Sequence, residues 1–495
     1  MNLLLLADMA AAGHGDRIVF QVGDDRWSAA DLLGAAWSAA ATVGESTALA
    51  HVGTNGAAFP VGLFAAAAAG VPFVPLNYRL SGEQLHELLV PLGAALVVAE
   101  GRAAEDLARR GHRVVEAASF VEAARGEPGS GEVPFDAEAA AVLLHTSGTT
   151  AAPKAAVLRH RHLTSYVIGS VEFGGATEAE AALVSVPPYH VAGLANLLSN
   201  LYLGRRIVYL RQFDADGWVQ AVRQEQVTNA MVVPTMLARI CDVLEQDGEG
   251  IPSLRALSYG GARTPAPLLE RVMDLLPEVA LTNAYGLTET SSTIAVLGAE
   301  DHRAARDGDP SAVARLASAG RVLPDVEVEV RDETGVVLVG EAGEIWVRGE
   351  QVSGEYAGQN ASTDAEGWFP TRDRGWVDAD GYLYVEGRSD DTIIRGGENV
   401  APAEIEEVLL RHPGVAECAV VGLPDVEWGQ SIGVMVVVHP GMQVEAADVQ
   451  EFVRRSLRGS KTPDVVAFTA ALPYTETGKL LRRQVLAELE EREVG

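Results

Sequence analysis

The chain has 495 residues, 48% of them hydrophobic and 21% charged, which is typical of a soluble globular enzyme with two to four domains. Its formal net charge of −30 argues against a surface that binds nucleic acid or anionic membranes, so we expect any anionic ligand to bind at a local positive site. Two cysteines, no signal-peptide pattern and no apolar stretch of membrane-spanning length predict a cytoplasmic protein without a disulfide framework or a transmembrane helix.

Up to about residue 300, short apolar runs alternate with helical stretches rich in Ala and Leu. Strands are predicted at 182–187, 206–210 and 229–234, and helices at 217–225 and 265–276. This alternation predicts an α/β fold, in which sheets of parallel type are covered by helices.

The pattern changes at about residue 318, where VEVEVRDETGVVLV, GEIWVRG and GYLYVEG alternate with a period of two. We predict a small antiparallel, β-barrel-like part at about 318–388, which completes an N-terminal body of residues 1–389. Residues 390–495 are predicted to form a small α+β domain. It contains an N-capped amphipathic helix in APAEIEEVLLRHP, two strands, and a helix at 446–458.

Only three of the 38 basic side chains are lysine, and these are Lys154, Lys461 and Lys479. Lysine is a compact point charge on a flexible stem, whereas arginine is a broad planar fork. A small mobile cation suits a phosphate or carboxylate whose charge changes during a reaction. We therefore interpret the three lysines as candidate functional residues.

The segment HTSGTTAAPK (145–154) follows an apolar strand and combines hydroxyl side chains, a glycine and Lys154. Backbone N–H groups, hydroxyls and a cation are the elements of a polyphosphate cradle, although the segment lacks the Walker pattern. The alternative is a Ser/Thr-rich turn with no ligand.

The segment NAYGLTETSS (283–292) places an aromatic ring, a hydroxyl and a carboxylate on one short turn. Tyr285 is suited to stack on a base, Thr288 to bond a phosphate, and Glu289 to hold Mg²⁺ together with phosphate oxygens. Taken alone, the same segment is equally compatible with a loop that enters a helix.

The stretch from 367 to 409 is the most specific part of the sequence. Asp373 follows a strand end and is suited to accept hydrogen bonds from ribose hydroxyls, and Arg388 ends the next β segment. Gly396 and Gly397 then permit a ligand to approach the backbone closely. A purely structural role is easy to assign to any one of these residues, but it does not readily explain why all of them occur in this order.

Nine motifs occur in one order along the chain: SGTTxxPK, PPYHVAGL, YGG, YGLTE, TxD, GRxDD, GGExxxPxEIE, KTP and TGK. The series covers essentially the whole chain and resembles the adenylate-forming superfamily of acyl-CoA synthetases, adenylation domains and luciferases. The chain is most similar to a free-standing acyl-CoA synthetase. The resemblance implies that a carboxylate attacks the α-phosphate of ATP, with Mg²⁺ bound, and that coenzyme A then takes the acyl group.

The resemblance also implies roles for individual residues. Lys479, Glu289 and Thr288 are the expected catalytic residues, and Glu289 is the expected Mg²⁺ ligand. The residues expected to bind ATP are Thr146, Ser147, Gly148, Thr149, Thr150, Lys154, Gly260, Gly261, Ala262, Tyr285, Gly286, Thr288, Asp373, Arg388 and Lys479.

For coenzyme A, the resemblance implies that the small domain is mobile and pivots at Asp390 between the two half-reactions. Gly396, Gly397 and Glu398 would then line the tunnel for the pantetheine arm. A basic cluster at the tunnel exit is suited to the coenzyme A phosphates, or else consists of solvated helix charges. This cluster comprises Arg454, Arg455, Arg458, Lys461, Arg482 and Arg483.

The acyl pocket is expected to be lined by His190, Val233, Gly260 and Gly286. Gly286 stands where acetate-type relatives carry a bulky Trp, and the linings are largely apolar. We therefore expect a medium or large hydrophobic acid (fatty, aromatic or polycyclic), and we expect Gly286→Trp to fill the ligand cavity in a folded protein.

Three residues depart from the family pattern. Ala151 and Ala155 replace glycines of the phosphate loop, and Arg372 replaces the glycine before Asp373, which places an unexpected cation beside the ribose site. The sequence therefore leaves open the alternative that the reaction step with the nucleotide is weakened or altered. Two further alternatives are a ligase that loads a separate carrier protein and, from another class, a catalytically weak nucleotide-binding regulator. The sequence does not determine the oligomeric state and is compatible with a homodimer.

Overall fold

The computed structural model describes residues 1–126, 129–134, 136–146, 154–396, 398–426, 428–457, 459–475 and 479–494. Within these ranges the helices are α1 Leu4–His14, α2 Ala29–Val43, α3 Ala58–Ala69, α4 Gly82–Leu89, α5 Gly101–Arg109, α6 Ala117–Ala124, α7 His160–Ser170, α8 Val191–Leu203, α9 Ala215–Gln224, α10 Pro234–Asp247, α11 Ala266–Leu275, α12 Ala299–Arg306, α13 Pro310–Arg315, α14 Pro402–Leu409, α15 Ala446–Ser456 and α16 Arg482–Val494.

The strands of the N-terminal body are β1 Ile18–Val22, β2 Asp25–Ser28, β3 Leu49–Val52, β4 Phe73–Pro75, β5 Leu96–Ala99, β6 Arg113–Glu116, β7 Ala140–Thr146, β8 Lys154–Arg159, β9 Ala181–Val184, β10 Arg206–Tyr209, β11 Asn229–Val232, β12 Ala256–Gly260, β13 Ala280–Leu287, β14 Ser292–Leu297, β15 Gly320–Val322, β16 Val326–Arg331, β17 Gly343–Gly349, β18 Phe369–Val377 and β19 Tyr382–Arg388. Those of the C-terminal domain are β20 Ile393–Arg395, β21 Glu398–Val400, β22 Val415–Asp425, β23 Gly429–Val438 and β24 Val465–Phe468.

A six-stranded sheet has the order β6-β5-β3-β4-β7-β8, and only the β7–β8 pair is antiparallel. This pair sets Thr146 opposite Lys154, so both ends of the predicted phosphate loop lie side by side. The predicted ATP residues Ser147, Gly148, Thr149 and Thr150 lie outside the described residues.

A 13-stranded sheet has the order β16-β17-β18-β19-β15-β14-β13-β12-β11-β9-β10-β1-β2. The run from β13 to β1 is parallel, which confirms the predicted α/β fold. The predicted antiparallel part is present as β15 to β19 with an apolar core of its own. It is not a separate sheet, however, because β14 pairs with both β13 and β15 and so continues the parallel sheet into it.

The predicted helices at 217–225 and 265–276 are α9 and α11, within two residues at each end. Both are amphipathic: Trp218 and Val222 of α9, for example, are fully buried. By contrast, α3 is apolar around its whole circumference, because it is packed between α2 and the six-stranded sheet.

The C-terminal domain forms its own sheet, in which β22 and β23 make a long antiparallel pair and β24 lies parallel to β23. Ile405 and Leu409 of α14 and Val449 and Val453 of α15 are fully buried in its core. The predicted order of helix, two strands and helix is confirmed. A short 3-10 helix, Ser389–Asp391, joins the two domains, and the exact boundary at 389 stays a prediction. None of the helices in the described ranges is both long and apolar enough to cross a membrane.

Candidate active site

Three residues predicted to bind the nucleotide are joined by hydrogen bonds, with Asp373 between the other two. The Tyr285 hydroxyl donates a hydrogen bond to Asp373 Oδ2 over 2.6 Å, and Arg388 Nη1 donates one to Oδ1 over 3.1 Å. Asp373 and Arg388 are opposite each other in the β18–β19 pair, and Tyr285 comes from β13. The fold thus brings together a tyrosine, a carboxylate and a guanidinium that are distant in sequence.

Burial and nearby charges determine the protonation states of Tyr285 and Arg388. Burial, followed by the negative charge of Asp373, holds the pKa of Tyr285 well above its ordinary value, so its hydroxyl remains a donor. Burial lowers the pKa of Arg388, but Asp373, Glu289 and Tyr285 together raise it above its ordinary value, so the guanidinium remains charged. Asp373 is only 7% exposed, and its carboxylate has lone pairs left to accept hydroxyl hydrogens from a sugar.

Glu289 lies on a 3-10 turn, Thr288–Thr290, that follows β13 directly. It is 8% exposed, and its Oε1 accepts a hydrogen bond from the Tyr356 hydroxyl over 2.5 Å. Lys154 Nζ lies 5.5 Å from the centre of the Tyr356 ring, so the cation predicted for phosphate is next to the carboxylate predicted for Mg²⁺.

The donor set around Glu289 fits Mg²⁺ with a nucleotide. Across the described ranges there is no cluster of three or more His, Cys, Asp or Glu side chains that could hold a metal. Mg²⁺ commonly takes one or two carboxylates and completes its shell with water and substrate phosphates. Glu289 is therefore sufficient as the protein ligand only when phosphates are bound nearby.

The residues predicted to line the acyl pocket lie on three elements. His190 precedes α8, and its ring lies 4.6 Å from that of Tyr189. Val233 precedes α10, and its Cγ1 is 3.5 Å from where a Cβ on Gly261 would lie. Gly260 closely approaches β13, because a Cβ there would be 2.2 Å from the Ala284 carbonyl oxygen.

The backbone around Gly286 contradicts one expectation about the acyl pocket. A Cβ on this residue would lie 1.8 Å from the Ser292 carbonyl oxygen, so its side-chain direction points into β14. The register of the β13–β14 pair shifts between Tyr285 and Gly286, and this bulge sets that direction. The expectation that Gly286→Trp fills a ligand cavity in a folded protein is therefore wrong for this backbone. That Gly286 borders ATP and the acid stays a prediction.

The Lys479 loop lies at the boundary between the domains. Lys479 N donates a hydrogen bond to Thr475 Oγ1 over 2.9 Å, and Thr475 N donates one to the Lys479 carbonyl over 2.7 Å. Burial raises the pKa of Asp391, and the charges of Arg482, Lys479 and Arg388 oppose that rise. The charges of Lys479 and Arg388 thus act on the same carboxyl group at the junction between the domains.

A cleft of about 400 Å³ lies between the N-terminal body and residues 472–475 of the C-terminal domain. Thr235, Met236 and Arg239 line it from the body, and Leu472 and Thr475 from the C-terminal domain. Arg79 and Arg211 also line the cleft, and Arg211 is paired with Glu100.

The predicted coenzyme A residues of the 396–398 loop pack within their own domain. Gly396 N donates a hydrogen bond to the Trp428 carbonyl over 2.8 Å, and a Cβ on Gly396 would be 3.0 Å from the Trp428 ring. Glu398 begins β21, and Gly397 lies outside the described residues.

Most cations of the predicted basic cluster are paired with carboxylates. Lys461 Nζ lies 2.5 Å from Glu404, and Arg482 Nη1 lies 2.5 Å from Glu406. Arg454 and Arg455 both pair with Glu451, and Arg458 lies outside the described residues. Arg482 is 21% exposed and also donates to the Val420 carbonyl, so it is bound within its own domain, and its contact with the coenzyme A phosphates stays a prediction. Contact of Lys461 with coenzyme A stays a prediction.

Comparison with known proteins decides the family. The sequence matches the family described as AMP-binding enzyme over residues 8–357, and the AMP-binding enzyme C-terminal domain over residues 404–479. The first match alone covers more than half of the chain. The chain belongs to the AMP-binding enzyme family.

This AMP-binding enzyme is 35% identical to a feruloyl-CoA synthase from Amycolatopsis sp. over 445 residues, 88% of each chain. It is 36% identical to a 2-succinylbenzoate–CoA ligase from Bacillus cereus (strain AH820) over 434 residues, 86% of this chain and 84% of the relative. The O-succinylbenzoate coenzyme A synthetase from Bacillus subtilis, in complex with ATP and magnesium ion, superimposes with a TM-score of 0.84 at 28% identity. That likeness covers 98% of this chain and 99% of the other. The predicted membership of the adenylate-forming superfamily is confirmed.

Tyr356 is the site residue that the sequence reasoning missed in this AMP-binding enzyme. It lies in the segment GEYAG, which carries no motif, and it pairs with Ala156 through an isolated β-bridge. Its contact with Glu289 depends on the long-range packing of β8 beside the segment after β17. A lone tyrosine between glycines gave no local signal of that contact.

Proposed function

We propose that this AMP-binding enzyme is an ATP-dependent acyl-CoA synthetase that activates a hydrophobic carboxylic acid as an acyl-adenylate and transfers it to coenzyme A. The observation that carries the proposal is the convergence of Tyr285 and Arg388 on Asp373, with the charge of Glu289, the partner of Tyr356, acting on Arg388. A sugar acceptor and a metal ligand are thereby grouped at one site.

In the first half-reaction, a carboxylate oxygen of the acid bonds to the α-phosphorus of ATP, and the bond to pyrophosphate breaks. Asp373 accepts the ribose hydroxyls, and Thr288 donates to the α-phosphate. Lys479 brings its ammonium to the oxygens on which negative charge develops, which is the largest contribution a protein can make to phosphoryl and nucleotidyl transfer. Mg²⁺ on Glu289 neutralises phosphate charge when it is bound.

In the second half-reaction, the sulfur of coenzyme A attacks the acyl carbonyl, the thioester forms and AMP leaves. The C-terminal domain pivots at Asp390, so that Lys479 withdraws and the loop of Gly396, Gly397 and Glu398 replaces it. The conformation described above holds the Lys479 loop at the cleft and Gly396 against Trp428. This supports adenylation as the half-reaction that the conformation serves.

We infer that the acid is aromatic. Val233 and Met236 contribute apolar side chains at the start of α10, and the Tyr189 ring lies tilted beside that of His190. Ferulate and 2-succinylbenzoate, the acids in the names of two relatives, both carry a benzene ring. A flat ring between apolar walls is compatible with the close approach of Val233 to Gly261.

The experiment is a pyrophosphate-release assay with ATP, Mg²⁺ and a panel of acids: ferulate, substituted benzoates, fatty acids and acetate. Thioester formation with coenzyme A is followed by mass spectrometry. We expect release and thioester formation to be highest with an aryl acid. Release without a thioester would favour a ligase that loads a carrier protein. Binding of ATP with no release for any acid would favour a nucleotide-binding regulator.

We retain two further proposals about the protein in the cell, a cytoplasmic location and a homodimer. Size-exclusion chromatography with light scattering tests the second. A mass near 52.2 kDa would show a monomer and contradict it.

A further inference from the structure

Helix α14 of the C-terminal domain carries three glutamates whose partners differ. Two of them, Glu404 and Glu406, pair with cations of their own domain. Glu407 instead binds the N-terminal body, because Arg263 Nη2 donates a hydrogen bond to its Oε2 over 2.5 Å. This ion pair therefore crosses the boundary between the two domains.

Helix α14 is fixed within the C-terminal domain. Ile405 and Leu409 are fully buried in the core of that domain, and Glu406 accepts a hydrogen bond from Val420 N of β22 over 2.9 Å. The opposite contact of α14 is with β19 of the N-terminal body, the strand that ends at Arg388 just before the predicted pivot. A displacement of the C-terminal domain must therefore displace Glu407 with it.

Arg263 belongs to the N-terminal body, in the segment between β12 and α11. It directly follows Gly260, Gly261 and Ala262, the residues predicted to border the adenine. Its side chain is 41% exposed, and that of Glu407 is 30% exposed. The ion pair thus connects the segment predicted to border the nucleotide with the domain that carries Lys479.

An ion pair with this exposure contributes little to folding stability, because water and salt screen it. Its effect on a conformational equilibrium is different. A contact that is made in one of two closely balanced conformations shifts their populations by its own free energy. Glu407 also accepts a hydrogen bond from Arg411, just after α14, over 3.2 Å. Arg411 binds this carboxylate within the domain, whereas Arg263 binds it across the boundary.

We propose that Arg263 and Glu407 are positioning residues, which stabilise the conformation for adenylation and separate when the C-terminal domain pivots for thioester formation. The inference rests on the proposed function, because it requires two half-reactions and a pivot at Asp390. Rotation about Asp390 carries Glu407 away with its domain, while Arg263 stays with the body. The pair acts through the placement of the Lys479 loop, which lies in the same domain as Glu407.

The test uses charge reversal in three variants: Arg263→Glu, Glu407→Arg and the variant that carries both changes. Arg411→Glu is the matched control, because it places the same negative charge beside Glu407 without crossing the boundary. Stopped-flow assays measure adenylation as pyrophosphate release and, separately, thioester formation from a supplied acyl-adenylate. Thermal unfolding gives the Tm of each protein.

We expect each single reversal of the Arg263–Glu407 pair to slow adenylation about 3- to 10-fold, without slowing thioester formation from the supplied acyl-adenylate. The double variant should adenylate within about 2-fold of the unmodified protein, since the pair is restored with its charges exchanged. Arg411→Glu should change either step by less than about 2-fold. The difference between Arg263→Glu and the unmodified protein should decrease as salt is added.

A double variant that adenylates no faster than the single reversals would overturn the proposal, because pairing would then not matter. Equal loss of both half-reactions in Arg263→Glu would do so as well, and so would an equally large effect of Arg411→Glu on adenylation. Absence of pyrophosphate release by the unmodified protein with every acid of the panel would instead contradict the proposed function.

A double-mutant cycle of Arg263→Gln and Glu407→Gln replaces the reversals if one of them prevents folding. Each neutral variant removes the same ion pair, so we expect the double variant to slow adenylation no more than either single variant. Additive effects of the two changes would overturn the proposal.

Discussion

The hydroxyl of Tyr356 donates a hydrogen bond to Glu289 Oε1 over 2.5 Å, inside the candidate metal site. Burial and the nearby carboxylate raise the pKa of Tyr356, so the phenol keeps its proton and continues to donate. Glu289 is mostly buried, and an unpartnered carboxylate in that position would be costly. The bond therefore holds the Glu289 side chain in one orientation.

Tyr356→Phe should keep the fold and weaken the site. The ring still packs, but Glu289 loses a charge-assisted bond worth about 1.5–3 kcal/mol. We expect the Mg²⁺ concentration for half-maximal pyrophosphate release to rise about 10-fold or more. The matched control is Tyr382→Phe. This change also removes a tyrosine hydroxyl that donates to a carboxylate, that of Asp301, but Tyr382 is at the end of β19 opposite to Arg388. An equal effect of both variants would mean that Tyr356 acts only on stability.

Lys479→Ala should abolish adenylate formation and spare thioester formation from a supplied acyl-adenylate, because the ammonium acts in the first half-reaction only. Lys479→Arg should also fail in adenylation, since a planar fork does not replace a point charge in a tight site. Separate assays of the two half-reactions measure this. Equal loss of both would contradict the role.

Asp390→Pro should restrict the junction between the domains. Asp390 lies in the 3-10 helix Ser389–Asp391, and proline fixes φ near −65°. If the conformation described above is retained, adenylation should continue while thioester formation falls by orders of magnitude. Stopped-flow measurement of each step checks this, and unchanged rates in both would place the pivot at another residue.

Gly286→Ala should destabilise the protein, because the added Cβ would lie 1.8 Å from the Ser292 carbonyl oxygen. A contact this short requires β13 and β14 to separate, and we expect a loss of about 3 kcal/mol or more in the free energy of unfolding. Gly298→Ala, just beyond β14, is the control, since no heavy atom lies within 4 Å of the Cβ it would add. Denaturant unfolding that gave equal stability for both would show that the β13–β14 backbone adjusts easily.

His51 should make the protein sensitive to mild acid. The side chain is 1% exposed, its ring nitrogens have no hydrogen-bond partner in the described chain, and burial lowers its pKa to about 4. Unfolded His51 takes up a proton near pH 6.5, so between pH 6.5 and pH 4 the unfolded chain binds more protons than the folded one. The free energy of unfolding therefore falls as the pH falls through that window, by up to about 1.4 kcal/mol per pH unit for this residue.

His51→Leu should reduce this dependence. His160 and His162 also have pKa values lowered by burial, to about 4 and about 3. The contribution of His51 is therefore the difference between the variant and the unmodified protein in the slope of unfolding free energy against pH. Chemical denaturation at pH 7, 6 and 5 gives the slopes, with His439→Leu, at an exposed position, as the control. Identical slopes for all three proteins would contradict the prediction.

The sequence by itself determined the family, the fold class and the chemical types at the site. Motif order along the chain does not depend on tertiary contacts, so Asp373, Arg388, Tyr285 and Glu289 could be named from it as candidate site residues, and their roles stay predictions. Strand and helix periodicity likewise located α9, α11 and the change of pattern near residue 318, because periodicity reports which face of an element is buried.

Only the tertiary structure decided how side chains pair and where they point. Arg482 could not be recognised as a half-buried partner of Glu406, and Tyr356 could not be connected with Glu289, because both contacts join segments far apart in sequence. The bulge that turns the Cβ direction of Gly286 into β14 depends on strand register, which a glycine in a motif does not reveal. The same holds for the strained φ of Arg372: the sequence identified a missing glycine, and the backbone conformation showed that an arginine occupies a position that glycine would favour.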